Sequence, residues 1–391
     1  MSRVLFVQNS LPRYRVPFFE RLRVRLAVDG IELALAYGRP RGVEAAKAYQ
    51  AELGWGDQLR NRSLSVGRRD LVWHPCLSAA RKADLVVVEQ ASRLLTNYAL
   101  LAAQIRGGTP VAFWGHGANQ ETHAASGGAE LVKRHVSRLP HWWFPYTELS
   151  KRLVVGLGYP ADRITVVQNA VDTSDIGAQS GDVARFRAGH GLGNGPIGLF
   201  SGSLYREKRI GFLLEAADRI HARRPDFRLI LLGDGPDRAA VVRDVTARPY
   251  AKYLGGRFGR DRAVPFAAAR LMLIPGVVGL AVVDAFAAAL PLVTTAIDYH
   301  SPEIDYLRPG ENGIVVAAAS SVDAYADAVL RVLGDDAFYE RLVTGCRAAA
   351  AVYTLDAMVE RFAEGIRRAL AAPRLRARAS GSAVAPEAAS A

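Results

Sequence analysis

Residues 275–295, PGVVGLAVVDAFAAALPLVTT, carry a single charged side chain, Asp284, in an otherwise apolar and small-residue run. A carboxylate there is either an exposed residue on an alanine-rich helix or a ligand group at the start of that helix. Gly276 and Gly279 loosen the turn after the apolar LMLI stretch. The amides around Gly279, Leu280 and Ala281 then head the next helix, where free N–H groups can take a phosphate or a sugar hydroxyl. Asp284, one turn further in, can point back to a cleft and accept two hydroxyls of a vicinal diol, a charge-assisted clamp of about 1.5–3 kcal/mol per bond.

Three other places combine chemistry-bearing residues with a strand end. In FSGSLYREKRIGFLL the small residues Ser201, Gly202 and Ser203 permit close backbone approach, and Lys208 precedes a helix. The stretch reads either as a phosphate-binding turn, in which amides and an ammonium face one anion, or as a solvated turn. It matches neither a dinucleotide fingerprint nor a Walker loop. In FWGHGANQ, His116 lies between Gly115 and Gly117 with Asn119 beyond, so its ring can reach a cleft or serve structure alone. NSLPRYRVPFFERL puts Arg13, Tyr14 and Arg15 after the first strand, as binders of an acceptor phosphate or carboxylate or as solvent-facing loop residues. LILLGDGPDRAAV reads as a structural strand-to-helix turn, with Pro236 and Asp237 suited to the helix start.

The elements that must position these residues alternate in one pattern. Apolar runs (RVLFVQNS, IELALAYG, ADLVVVEQ, TPVAFWGHG, HWWFPYT, ITVVQNAVD) are separated by amphipathic stretches such as VPFFERLRVRLAVDG. This is βαβα alternation, which implies parallel sheets covered by helices. Gly, Ser and Asp concentrate in 172–196, which reads as a connector, and the alternation then restarts. At 391 residues two domains are expected. The divisions are a first domain over 1–175, a linker over 176–196, a second domain over 197–353, a helix over 354–371 that returns to the first domain, and an Ala/Ser/Pro/Arg-rich disordered tail over 372–391. Open parallel sheets bind ligands at the carboxyl ends of their strands.

Half the residues are hydrophobic and 23% charged, a globular composition and not a disordered one. The opening MSRVLFVQNSLPRYR reads as a buried strand rather than a signal peptide, and no run of about 18 strongly apolar residues implies a membrane span. Two distant cysteines without metal-like spacing fit a reducing, cytoplasmic compartment. Residues 1–195 hold 25 basic and 16 acidic residues, a surplus of nine out of the net +12. That field favours an anionic partner or is simply the character of an arginine-rich chain. Peripheral contact with an anionic membrane at the inner face fits the charge. The mixed basic and aromatic stretch ELVKRHVSRLPHWWFPYTELSKRL could serve it, but HWWFPYT sits where a core strand belongs. Nucleic acid is disfavoured, because no recognition module accompanies the charge.

In their order along the chain, the His-Gly strand end, ITVVQNAVD, SGSLYREKR, LLGDGP and PGVVGLAVVDAFAAALPLVTT…HSPEIDYLRPGENGIVV resemble family-four retaining glycosyltransferases of the GT-B architecture, in the group 1 class. The resemblance extends to about residue 371 and is most specific in 197–316. It implies two Rossmann-like doubly wound domains across a cleft, the second binding a nucleotide diphosphate sugar and the first an acceptor that is a glycan, lipid-linked or small-molecule hydroxyl. By this resemblance Lys208 neutralises the diphosphate with Gly202, Ser203, Arg206 and Arg209 around it. Gly279 and Leu280 present amides, Asp284 holds the ribose hydroxyls, Arg257 and Phe258 lie near the base, and His116 lies against the transferred sugar. It implies no metal, no cofactor beyond the sugar nucleotide, no protein nucleophile, and a role in glycan or polysaccharide biosynthesis. Family members commonly carry two glutamates separated by seven residues; here Gly276 and Asp284 occupy those places. A common arginine is Ser203 and a common Gly-Gly is His300-Ser301, followed by Glu303, which either caps a helix or faces the sugar. These departures leave open a second reading, a non-catalytic GT-B relative that binds nucleotide or glycan as a partner subunit.

Overall fold

The computed structural model describes residues 1–39, 51–66, 69–117, 134–176 and 180–375. Its frame is two six-stranded sheets. In the first, β1 (Ser2–Gln8), β2 (Ile31–Gly38), β3 (Asp57–Leu59), β6 (Leu85–Glu89), β7 (Val111–Gly115) and β8 (Trp142–Pro145) lie in the order β3-β2-β1-β6-β7-β8. Between β3 and β6 a small antiparallel hairpin pairs β4 (Arg62–Val66) with β5 (Arg69–Trp73), an element the βα alternation does not announce. In the second sheet, β9 (Ile197–Ser201), β10 (Arg228–Leu232), β11 (Ala251–Tyr253), β12 (Leu271–Leu273), β13 (Leu292–Thr295) and β14 (Gly313–Val316) lie in the order β11-β10-β9-β12-β13-β14. Every pairing within these two sheets is parallel. The strands are buried without alternation because helices cover both faces. Each sheet reverses its winding once, between β1 and β6 and between β9 and β12, which are the crevices where doubly wound sheets hold ligands.

The pleat divides the first domain's core into two layers. Phe6, Trp114 and Phe144 face one side with helix Val16–Val28, while Val7, Phe113 and Trp143 face the other. Trp142 and Trp143 are almost wholly buried, so the aromatic stretch is sheet core and no surface helix. The last helix, Leu355–Ala371, belongs to the first layer although the chain has already built the second domain. Its Phe362 ring stacks on Phe144 at 4.9 Å and meets Phe18 and Trp114, each at 5.1 Å. Gly365 allows this approach, because a Cβ there would lie 2.5 Å from the Phe144 ring. Arg21 and Arg25 bond Asp356 and Glu360 along its outer edge.

Two segments depart from the sequence expectations. ITVVQNAVD is not a strand: only Ile164 bridges to Trp143, and the segment then follows β8 through bonds from the amides of Thr165, Val167 and Asn169. Gln168, with φ of 52°, turns the chain out of the pleat and ends the ladder. The connector 176–196 contains a helix, Ser180–Gly189, whose Val183 and Phe186 pack on the second domain's core. Gly, Ser and Asp mask it because they mark the helix ends as strongly as they mark loops. The stretch Asp336–Ala371 reaches the length and a mean hydropathy of 1.2 compatible with a membrane crossing. It is nevertheless two helices, Asp336–Val352 and Leu355–Ala371, broken before the Thr354 cap, with buried faces against both domains.

Truncating the aromatic hub should release the last helix from the first domain. Phe362→Ala is expected to lower stability by about 3–5 kcal/mol. The check is chemical denaturation together with faster proteolysis around residue 354.

Candidate functional site

The crevice between β9 and β12 is built from two loops that lock onto each other. After β9 the chain passes Gly202 and Ser203 into a short 3-10 turn, Arg206–Lys208, and enters helix Ile210–Arg223 through Arg209, which is left-handed at φ 57°. After β12 it passes Pro275 and Gly276 toward helix Ala281–Ala287. The Val277 amide donates to the Glu207 carbonyl at 2.9 Å, and the Lys208 ammonium donates to the Val277 carbonyl at 2.5 Å. Lys208 is buried under this contact, and a Cβ added at Gly202 would come within van der Waals distance of its Cε and Nζ. Burial pushes its pKa down to about 8, and the Glu303 carboxylate opposes the shift. Two of its three donors remain for an anion.

Gly276 is required by this lock. A Cβ there would lie 2.1 Å from the Glu207 carbonyl oxygen and 2.7 Å from Lys208 Cα. The place where the resembling family commonly has its first glutamate is therefore filled by backbone. Gly279 is open by comparison, with only Ser301 near a would-be Cβ, at 3.6 Å, and Leu280 is half-buried. His300 braces the same loop: Nδ1 accepts from the Val278 amide at 3.1 Å, and Nε2 lies 2.8 Å from the Thr295 carbonyl. A carbonyl only accepts, so the ring is neutral with its proton on Nε2. Burial lowers its pKa accordingly, and the Lys208 charge adds to the effect.

Asp284 is less free than the sequence suggests. Its Oδ1 lies 2.8 Å from Nη1 of Arg262, and 14% of the carboxylate side chain remains exposed. The contact is an ion pair rather than an aligned hydrogen bond, since Oδ1 has no bond of good geometry. Arg262 is itself anchored on the connector, with Nε and Nη2 each 2.7 Å from the Asp175 carboxylate and Nη2 3.2 Å from the Asp172 carbonyl. Burial pushes the Asp284 pKa up to about 6 while Arg262 holds it down. Arg262 was not singled out from the sequence. It lies 22 positions before Asp284, in an exposed-looking GRDRAV stretch.

The two domains meet beside Lys208. Glu303 makes no capping hydrogen bond in its 3-10 turn, Pro302–Tyr306. It is buried, and its Oε1 accepts from Asn169 Nδ2 at 2.5 Å. Asn169 Oδ1 in turn accepts from Arg15 Nη2 at 2.8 Å. Arg15 is not solvent-facing: it is buried, with its guanidinium 4.8 Å from the Trp114 ring centre. Tyr306 donates its hydroxyl to the Asn169 carbonyl, 3.1 Å away, and lies 3.3 Å from the Tyr146 carbonyl. The His116 ring packs at 4.8 Å on Tyr146 and is exposed at the end of β7. Gly117 makes that turn possible, at φ 82° and with no room for a Cβ against the Ser150 carbonyl. Across the joint, Asp305 accepts from the Leu149 amide and from Arg152, each at 2.9 Å.

The remaining candidates are dispersed. Arg13 is exposed in the turn that buries Arg15, and Arg206 is exposed beside Lys208. Arg209 is committed to Thr295, at 2.9 Å. Ser203 is half-buried, Arg257 bonds the Leu254 carbonyl, and Phe258 is exposed in the loop that leads to Arg262. Asn119 lies outside the described residues. The structure thus brings Lys208, Gly202, Gly276, His300 and Glu303 together, with His116 linked to them through Tyr146 and Tyr306. Asn169 is the member that sequence reasoning missed, and its signal was its place three residues before Asp172 in QNAVD.

Restoring a carboxylate at position 276 should damage this site. Gly276→Glu is expected to lower the melting temperature and weaken anion binding, because the Glu207–Lys208 backbone has to move away. Differential scanning fluorimetry with and without pyrophosphate measures both effects.

Comparison with known proteins agrees with this geometry. Residues 195–335 match the family model described as Glycosyl transferases group 1. D-inositol 3-phosphate glycosyltransferase of Nocardioides sp. is 27% identical over 248 residues, which are 58% of this chain and 53% of that protein. Alpha-D-kanosaminyltransferase of Streptomyces kanamyceticus is 29% identical over 196 residues, 46% of this chain and 47% of that protein. The chain therefore spans about half the length of these relatives. Among solved structures, Anabaena Alr3699/HepE in complex with UDP superposes with a TM-score of 0.69 at 16% identity, covering 94% of this chain and all of that one. Sucrose-phosphate synthase from Thermosynechococcus elongatus gives 0.68 at 15% identity, covering 94% and 99%. The fold is GT-B, two Rossmann-like domains facing across a cleft.

Proposed function

We propose that the protein is a glycosyltransferase that carries a sugar from a nucleotide diphosphate sugar to an acceptor hydroxyl with retention of anomeric configuration and without a metal. The observation that carries this reading is the buried Lys208 ammonium at the β9/β12 switch point, facing Gly202 and flanked by the loop that leads to Asp284. That crevice lies wholly within the segment matching the group 1 family model, and relatives of the same fold bind UDP and UDP-glucose.

The chemistry follows from charge. Breaking the bond between sugar and diphosphate leaves negative charge on the departing oxygens, and a preorganised cation in a water-poor site stabilises it far more than in solution. Lys208 supplies the cation, with Arg206 at the rim. Asp284 offers Oδ2 to the ribose, and Phe258 lies on the loop suited to the base. His116, between two glycines at the end of β7, approaches the transferred sugar from the first domain. An acceptor hydroxyl then attacks on the face the diphosphate leaves, so positioning replaces a protein nucleophile. The acceptor is read as a glycan, a lipid-linked sugar or a small molecule, met in the cytoplasm or at an anionic membrane face. The filled position at Gly276 favours one second reading, a non-catalytic relative that binds the nucleotide as a partner subunit.

A panel of UDP-, GDP-, ADP- and dTDP-sugars tests the proposal through protein-dependent transfer or hydrolysis. Turnover with at least one donor, reduced about 100-fold or more in Lys208→Met, is the expected result. Nucleotide binding without turnover in any pairing would favour the second reading. Because the free ammonium loses its proton above about pH 8, nucleoside diphosphate affinity should be flat from pH 6.5 to 8. It should then fall up to tenfold per pH unit above 8. Lys208→Met, already weak, should lack that fall when titrated by calorimetry.

A further inference from the structure

We propose that Arg262 is the positioning residue of the donor carboxylate: fixed on the connector by Asp175, it turns the Asp284 carboxylate so that Oδ2 is left for a vicinal diol. This rests on the donor-site reading above and adds to it a residue that the two-glutamate pattern lacks.

The argument is geometric. Asp284 is a methylene shorter than glutamate, so its carboxylate stays closer to the helix Ala281–Ala287 and has less reach toward a ligand. Arg262 meets the buried oxygen, Oδ1, at 2.8 Å, so Oδ2 is the oxygen this ion pair does not engage. A planar guanidinium has its donors in a fixed fork. Here Nε and Nη2 are both taken by the Asp175 carboxylate, which sets the plane and places Nη1 beside Asp284. The three side chains retain only 16%, 18% and 14% exposure, so the arrangement is enclosed rather than a solvated pairing. The charges acting on Asp284 are Arg262, which favours the carboxylate, and Asp175, which opposes it. Asp175 also belongs to the chain between the two domains.

The test has two arms on the full-length protein. In the ligand-free arm, the Asp284 carboxyl carbon, assigned through Asp284→Asn, is titrated by NMR in wild type, Arg262→Ala and Arg262→Lys. Its midpoint should rise in the alanine variant and return toward wild type in the lysine variant. An unchanged midpoint in Arg262→Ala overturns the inference whatever the protein binds. In the second arm, calorimetry compares UDP, GDP and ADP with their 2′,3′-dideoxy forms. Wild type should prefer the ribonucleotide at least tenfold. Arg262→Ala and Asp175→Asn should both lose most of that preference while keeping affinity for the dideoxy form, and a preference intact in Arg262→Ala overturns the inference. If wild type binds none of the nucleotides, the donor-site reading fails instead, and the titration alone decides the role of Arg262. Melting temperatures within a few degrees of wild type separate a positioning effect from a loss of fold.

Discussion

The side chain of Asn169 closes the joint between the domains, and both halves of the cleft depend on it. Arg15 and Glu303 are each buried and each charged, a combination that is unstable in a low-dielectric interior unless the charges are bonded. They do not touch each other in the hydrogen-bond network. The amide of Asn169 stands between them, accepting from the guanidinium and donating to the carboxylate. The amide offers both a donor and an acceptor at that point; an ionised Asp would leave Glu303 without its donor, and Leu would leave both ions unpaired. The relay fixes the turn after β1 to the turn after β13, and with it the distance across the cleft at its closed end.

The second domain's crevice inherits its shape from this joint. Glu303 bears on Lys208, and Lys208 in turn closes on the Val277 carbonyl. His300 ties the far side of the same loop to Thr295. The loop that must present amides to a ligand is thus held at three points before any ligand arrives, which reduces the ordering that binding would otherwise require. Gly276 follows from the same packing. Where backbone already fills the space, a longer side chain has nowhere to go.

Much of this was legible in the sequence, because it rested on period and punctuation. Apolar runs between amphipathic stretches gave both sheets, and glycines at strand ends marked the turns after β7, β9 and β12. The helix Leu355–Ala371 meets the aromatic layer of the first domain through Phe362. What stayed hidden depended on pairs of residues joined only by the fold. Arg15 and Asn169 are 154 positions apart, and Asn169 and Glu303 134. No local pattern tells a loop arginine that will be buried from one that will remain in water. The strand reading of ITVVQNAVD failed for a different reason: the β-branched run is real, but one left-handed residue, Gln168, ends the pairing.

The connector shows how the same ion-pair chemistry acts differently on its two sides. On the first domain's side, Arg21 meets Asp172 at 2.7 Å, with 37% and 24% of the side chains exposed. On the second domain's side, Arg262 holds Asp175 through two bonds with 16% and 18% exposed. Solvent screening leaves an exposed single pair with about 0–1 kcal/mol, whereas a desolvated bidentate pair resists separation much more strongly. Ile176, Val183 and Phe186 add apolar contact with the second core, and Arg187 binds the carbonyls of Gly193, Gly195 and Ala268. Asp175 and the helix after it therefore belong mechanically to the second domain. The weaker, wetter contacts near Asp172 mark where the two halves part most easily.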